Sequence, residues 1–217
     1  MPTPDRRALL HNVLGELHGL VSPAERERID GLRERLAADR IRVLVAGEAK
    51  RGKSTIVNAL LGRDVLPTGV TPVTAVATVL RHGTPERLTA RFADGRREDR
   101  GLEELPALVT ERGNPGNRLG LSNVTVHLDA ELPARGVEIV DTPGTGSVYE
   151  HNTAEAERAL ETMDAAVFVL TADPPLSAAE RTLLRRATRH SVTTFVLLNK
   201  ADRLSEAERA EAAAWSN

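Results

Sequence analysis

The feature that most constrains this chain is "VLVAGEAKRGKSTIVNALLG" (Val43 to Gly62), where an apolar run breaks into glycine and lysine and then resumes at helical spacing. Within it, "GEAKRGKS" (Gly47 to Ser54) satisfies G-x-x-x-x-G-K-[ST], with an apolar strand before it and a helix after it. Gly47 and Gly52 let the backbone turn tightly and bring its N–H groups against phosphate oxygens, with no Cβ in the way. Lys53 offers a point charge to the outer phosphates and Ser54 a hydroxyl to Mg²⁺, while the following helix adds its positive dipole end. The candidate nucleotide-binding run is Gly47, Glu48, Ala49, Lys50, Arg51, Gly52, Lys53, Ser54 and Thr55. The plainer reading, a glycine-rich turn that only links a strand to a helix, has the flanking strand and helix against it.

The rest of the chain alternates in the same way. Residues 5–21 put Leu10, Val13, Leu14, Leu17 and Val21 on one helical face, and "SPAE" (Ser22 to Glu25) reads as the capped start of a second helix. Two helices over residues 1–40 thus precede a main domain over 41–217. In that domain "IRVLVA", "TAVATVLRH", "RLTARFA", "NVTVHL", "GVEIVDT", "AAVFVLTA" and "VTTFVLLNK" read as strands, the last two as buried ones. Helices are expected over Lys53 to Leu61, "LEELPALVTER", Thr153 to Met163, "SAAERTLLRRATRH" with its capping pair Ser177 and Glu180, and Leu204 to Trp215. "ERGNPGNRLG" reads as a mobile surface loop. The fold class is α/β, a three-layer P-loop fold with a mainly parallel sheet, whose ligands collect at the carboxyl ends of the strands.

Composition narrows the function. The net charge is -2, so the total charge does not suggest a nucleic-acid binder, and aromatic residues at 2% leave few rings on which bases could stack. There is no cysteine, so disulfides and thiolate chemistry are excluded. The six histidines, His82, His127 and His190 among them, show no metal-ligand spacing. The basic run "RTLLRRATR" (Arg181 to Arg189) reads as a solvated helix face. No signal-type segment or long apolar run stands out, so a cytoplasmic location is expected, with attachment at the inner face of the membrane left open.

Two further stretches choose the nucleotide. "VEIVDTPG" (Val137 to Gly144) ends a strand on Asp141, which suits the Mg²⁺ shell, and the Gly144 N–H is placed to meet a γ-phosphate. In "LLNKAD" (Leu197 to Asp202), a buried Asp202 carboxylate would accept both N–H donors on one edge of guanine, a pair that adenine lacks. Asn199 can tie this loop to the phosphate loop, and the Lys200 stem can cover the base. Phosphate loop, acid and guanine loop follow one another in order, each at a strand end. The expected ligands are GTP and GDP.

The order "GEAKRGKST", "LPTGVTPVTAV", "DTPGTGS" and "NKAD", spread over Ile41 to Asp202, resembles the GTPase domain of bacterial dynamin-like proteins. The resemblance implies that "GRDVLPTGVTPVTAV" is the first switch segment, and that the Thr74 hydroxyl binds Mg²⁺ while its backbone positions the attacking water. Thr71 is the nearby competitor, and the spacing from "LP" favours Thr74. It also implies a monovalent cation, K⁺ or Na⁺, beside the phosphate loop. This sequence departs there by carrying Lys50, whose ammonium either takes part of that cation's role or is simply solvated. Lys53, Thr74, Gly144 and Lys50 are thus the candidate catalytic residues, and Ser54, Thr74 and Asp141 the candidate metal ligands. Tyr149, His151 and Asn152 would lie in the second switch. Self-association through this domain, a helical region beyond it or a paralogue as partner, and work at a membrane surface are further implications. The chain reads as incomplete at its C-terminal end, and the two N-terminal helices as a neck-like segment. Two alternatives stay open: a small switch GTPase of the ribosome-assembly type, and a GTP-binding module without useful turnover.

Overall fold

The apolar run that opens the phosphate loop lies in the middle of a sheet, and its alternation says why. In β1 (Ile41–Ala46) Val45 faces one apolar cluster, while Leu44 and Ala46 face another on the opposite side. The computed structural model describes residues 6–37, 40–69, 75–143, 163–172, 177–189 and 193–207. It divides into two units, Met1–Arg40 and Ile41–Asn217.

The first unit is a helix pair, α1 (Arg6–His18) and α2 (Pro23–Ala37). The second helix starts as the sequence implies: the Glu25 carboxylate accepts the Ser22 N–H at 2.9 Å and the Ser22 hydroxyl at 2.6 Å. On the first helix Leu14 is buried, whereas Leu10, Val13 and Leu17 are more than 40% exposed.

The second unit carries α3 (Lys53–Leu61), β2 (Thr78–His82), β3 (Arg87–Phe92), β4 (Arg97–Arg100), α4 (Leu105–Val109), β5 (Leu121–Leu128), α5 (Glu131–Ala134), β6 (Val137–Asp141), β7 (Ala165–Leu170), α6 (Ala178–Arg189) and β8 (Thr193–Leu198). They build one sheet in the order β4-β3-β5-β2-β6-β1-β7-β8. The run β6-β1-β7-β8 is parallel throughout, so these strands all end at one edge. β2 pairs parallel with β5 but antiparallel with β6, and β3 is antiparallel to both its neighbours. One cluster joins Val45, Ile139 and Val169 to Val57 and Leu61 of α3 and to Leu105 and Leu108 near α4. The other joins Leu44, Val140 and Phe168 to Leu183 and Ala187 of α6. Helices therefore cover both faces, as the α/β reading requires.

Several expectations need correction. The strand expected from Thr74 begins only at Thr78, because the Ala75 N–H bonds Val109 O instead of a strand neighbour. β4 was not expected: "REDR" is wholly charged, and its pairing comes from the turn at Gly95 (φ +89°), with the charges suiting an edge strand. The turn α5 was also missed. "ERGNPGNRLG" is held, not loose: Asn114, 0% exposed, donates to Leu108 O and accepts from Leu119 N, while Asn117 bonds both ways with Leu121. β8 is not buried; it is the last strand of the described sheet, and Phe195 and Val196 are 58% and 59% exposed. The expected helix Thr153 to Met163 lies outside the described residues except for Met163, as does most of Leu204 to Trp215. Arg181, Arg185 and Arg186 are exposed on α6, the solvated face expected of the basic run. Among the described residues, no helix is long and apolar enough to cross a membrane.

Leu80→Ala, in the middle of β2 at 0% exposure, should cost about 2–5 kcal/mol, whereas Phe195→Ser on the open β8 should change stability by about 0.5 kcal/mol or less. Urea midpoints of the two variants check this.

Candidate functional site

The carboxyl ends of the parallel strands assemble the site. Pairing of β1 with β6 sets Val45 opposite Asp141, and pairing with β7 sets Ala46 opposite Phe168. The chain leaving β1 must then pass close to β7. Gly47 has φ +143°, and a Cβ there would run into the Val169 carbonyl. Lys50 (φ +65°) and Gly52 (φ +95°) turn the loop back into α3, and a Cβ at Gly52 would strike the Asn199 side chain. Glycine is required at both ends of the loop for close approach as well as for curvature.

Lys53 and Ser54 open α3 toward the site. Lys53 is 7% exposed, and its ammonium donates to the Glu48 carbonyl at 3.1 Å, across the mouth of the loop. Burial pushes its pKa down, against the pull of Asp141, Glu180 and Glu48. Ser54 Oγ donates to Asp141 Oδ2 at 2.8 Å, so the two sequence-predicted metal ligands do meet. Asp141 is 1% exposed, and among the described residues no donor reaches its buried Oδ1. Burial raises the carboxyl's pKa, with Lys53 and the Ser54 hydroxyl opposing it. A hydroxyl beside a buried carboxylate with an orphan oxygen is a donor set that fits Mg²⁺.

The guanine-loop residues sit behind the phosphate loop. The Asn199 N–H bonds Leu170 O at 2.7 Å, and its side chain donates to Arg51 O at 2.8 Å. Lys200 Nζ donates to Lys50 O at 2.6 Å. Asp202, expected to be buried, stands exposed in a 3-10 turn (Ala201–Arg203) that follows β8, the last strand of the described sheet. Ala49 and Glu48 are half-buried in the loop, and Lys50 and Thr55 are exposed. Thr71, Thr74, Gly144, Tyr149, His151 and Asn152 lie outside the described residues. Among the described residues there is no cluster of acidic and histidine side chains able to hold a metal by itself.

Two residues that matter here were not singled out for it from sequence. Glu180, expected only as a helix cap, also binds the phosphate loop: it accepts the Glu48 N–H at 2.9 Å and Arg51 at 3.1 and 2.9 Å. Burial pushes the Glu180 carboxyl up, but the bonds from Arg51 and from the Ser177 and Glu48 amides outweigh it and hold it below its ordinary range. Arg51 reaches Thr171 and Glu48 as well, so its side chain points into the protein and not toward the mouth of the loop. Asn58, 5% exposed on α3, accepts the Val65 and Leu66 N–H groups and donates to Leu66 O, pinning the start of "LPTGVTPVTAV". A buried asparagine one helical turn beyond Ser54 was the available signal.

A sequence model of the dynamin family matches residues 43–201. The chain is 37% identical over 204 residues to the isoniazid-induced protein IniC of Mycobacterium tuberculosis, covering 86% of this chain and 39% of that protein. It is 32% identical over 176 residues to a bacterial dynamin-like protein of Nostoc punctiforme, covering 76% of this chain and 25% of that one. One chain from a solved structure of an oligomerised bacterial dynamin pair, described as a mechanism for the long-range sensing and tethering of membranes, superposes with a TM-score of 0.71. That match covers 100% of this chain and 35% of the other at 19% identity, a likeness of fold. The chain thus spans less than half the length of these relatives.

The raised Asp141 pKa fixes the sign of a pH effect. Its contribution to folding stability is present below the ordinary carboxylate pKa and is lost as pH rises through the folded-state value. Without metal or nucleotide, Asp141→Asn should therefore gain thermal stability relative to wild type as pH rises across that window. Parallel melting curves at a series of pH values, in chelator, check this.

Proposed function

The chain belongs to the dynamin family and carries its GTPase domain, and from that premise we propose that it binds and hydrolyses GTP with Mg²⁺. The observation that carries the reading is the meeting of Ser54 and Asp141 under the mouth of a loop whose back is held by Asn199 and Lys200. Mg²⁺ held by Ser54 and Asp141, and by Thr74 as the resemblance implies, would neutralise charge on the outer phosphates. Lys53 exchanges its bond to the Glu48 carbonyl for a phosphate oxygen. The loop N–H groups and the first turn of α3 receive the rest of the phosphate charge. The Asp202 carboxylate takes the two guanine N–H donors, and the Lys200 stem lies along the base. Thr74 orients a water for attack on the γ-phosphorus, and the Gly144 N–H follows the γ-phosphate; the bond to the bridging oxygen breaks, leaving GDP and phosphate. Lys50 supplies positive charge where the resemblance implies K⁺ or Na⁺.

Self-association through this domain and work at a membrane surface extend the reading to the whole protein, at the cytoplasmic side. A fold shared with an oligomerised bacterial dynamin pair supports that extension. On the same reading, residues 1–40 are a neck-like segment whose exposed Leu10, Val13 and Leu17 would be covered by a helical region from outside this chain.

Calorimetric titration with Mg²⁺-GDP and Mg²⁺-ADP should show binding of GDP alone, with GDP binding lost in Asp202→Ala. Equal binding of both nucleotides would overturn the guanine assignment. Turnover should be lost in Thr74→Ala, retained in Thr71→Ala, and unchanged when K⁺ is replaced by a large organic cation. GTP bound but left intact by wild type would instead mark a binding module.

A further inference from the structure

Arg51 carries a full positive charge within the phosphate loop, yet its side chain is 2% exposed and lies against Glu180, which is 0% exposed. The arrangement is more than an ion pair. Glu180 Oε1 accepts the Glu48 N–H at 2.9 Å and Arg51 Nε at 3.1 Å; Oε2 accepts Arg51 Nη2 at 2.9 Å and the Ser177 N–H at 3.0 Å. A carboxylate has about four acceptor positions, and here each is taken by a nitrogen donor. One side chain therefore joins the second residue of the loop, its fifth residue and the first turn of α6. Arg51 also reaches the Thr171 hydroxyl, just past the end of β7.

Stability alone gives no reason to keep this pair. Two charges removed from water lose hydration that their attraction barely restores, and apolar residues of similar volume often replace such a pair at no cost. An apolar replacement would, however, leave the Glu48 N–H without its acceptor. That amide belongs to a backbone stretch with positive φ at Gly47, Lys50 and Gly52, a shape that persists only where its surroundings over-determine it. Glu48 is held at both ends, its N–H by Glu180 and its carbonyl by Lys53. The second of these bonds must yield when phosphate binds, and the first need not.

We propose that Glu180 is a positioning residue of the nucleotide site: through the Glu48 amide and Arg51 it holds the phosphate loop as an open cradle and keeps the Arg51 charge out of it. The inference rests on the nucleotide reading above. It makes α6 part of the loop's support, so that displacement of its first turn would loosen nucleotide binding without touching the ligand.

The test is the double variant Arg51→Met/Glu180→Met, which removes both charges and keeps the volume. It should fold with a lowered melting temperature, because the Glu48 and Ser177 amides lose their acceptor. It should also bind Mg²⁺-GDP about tenfold or more weakly, and lose hydrogen-exchange protection at the Glu48 amide without nucleotide. Unchanged GDP affinity together with an unchanged Glu48 amide would reduce the pair to a structural contact and overturn the proposal. Should the double variant fail to fold, Glu180→Gln keeps the shape and one acceptor oxygen. Weaker GDP binding by that folded variant supports positioning, and wild-type binding by it overturns positioning. Wild type that binds no GDP would instead sink the nucleotide reading, while the exchange measurement, made without ligand, still judges Glu180.

Discussion

Everything at this site depends on four parallel strands that run toward one edge of the sheet. β1 is flanked by β6 and β7, and β8 continues the run, so the residues that follow each strand come out at one edge. Val45 opposite Asp141 puts an acid beside the start of the phosphate loop. Leu170 opposite Leu198 puts Asn199 behind that loop. A one-residue slip in either pairing would turn Asp141 or Asn199 to the other face, so apolar alternation in the strands also specifies the chemistry at their ends.

The second constraint is charge in a confined space. Lys53, Asp141, Arg51 and Glu180 are each under a tenth exposed, and none would be tolerated there alone. They fall into two groups with different degrees of satisfaction. Arg51 and Glu180 are saturated with hydrogen bonds. Among the described residues, Lys53 and Asp141 keep unmet capacity: the ammonium has a carbonyl at 3.1 Å, and the acid has an orphan oxygen. Burial drives both of the latter toward neutrality. On the proposed reading, a triphosphate and its metal ion would bring the opposite charges, and ligand binding would relieve a cost that folding leaves in place.

Legibility in the sequence followed the physics. β1, α3, β3 and β5–β7 were readable because apolar alternation, glycine and helix spacing are local and consistent with one another. The encounters of Ser54 with Asp141 and of Asn199 with Arg51 were readable because strand-end motifs in order imply one edge. β4 was hidden by its wholly charged sequence, and the exposure of β8 by an apolar run that reads the same at an edge as at the centre. The buried asparagines stayed hidden too, Asn58 within an expected helix and Asn114 within an expected loop, since nothing local distinguishes an amide that pins a backbone from one that faces water.

Glu180 shows most clearly why the remainder stayed hidden. Ser177 and Glu180 form a capping box, both halves present at 3.0 and 3.1 Å, and that local job fully accounts for an acid at the third helical position. Its second job joins residues about 130 positions apart, and it exists only because β7 lies beside β1. The inward turn of the Arg51 side chain stayed hidden for the same reason. A lysine-arginine pair in a phosphate loop reads as two charges offered to an anion, but a neighbouring carboxylate that is itself a helix cap takes one of them away. Charge at such a loop has to be counted after tertiary pairing: the Arg51 guanidinium is taken up by Glu180, whereas Lys50 is exposed and Lys53 donates to the Glu48 carbonyl.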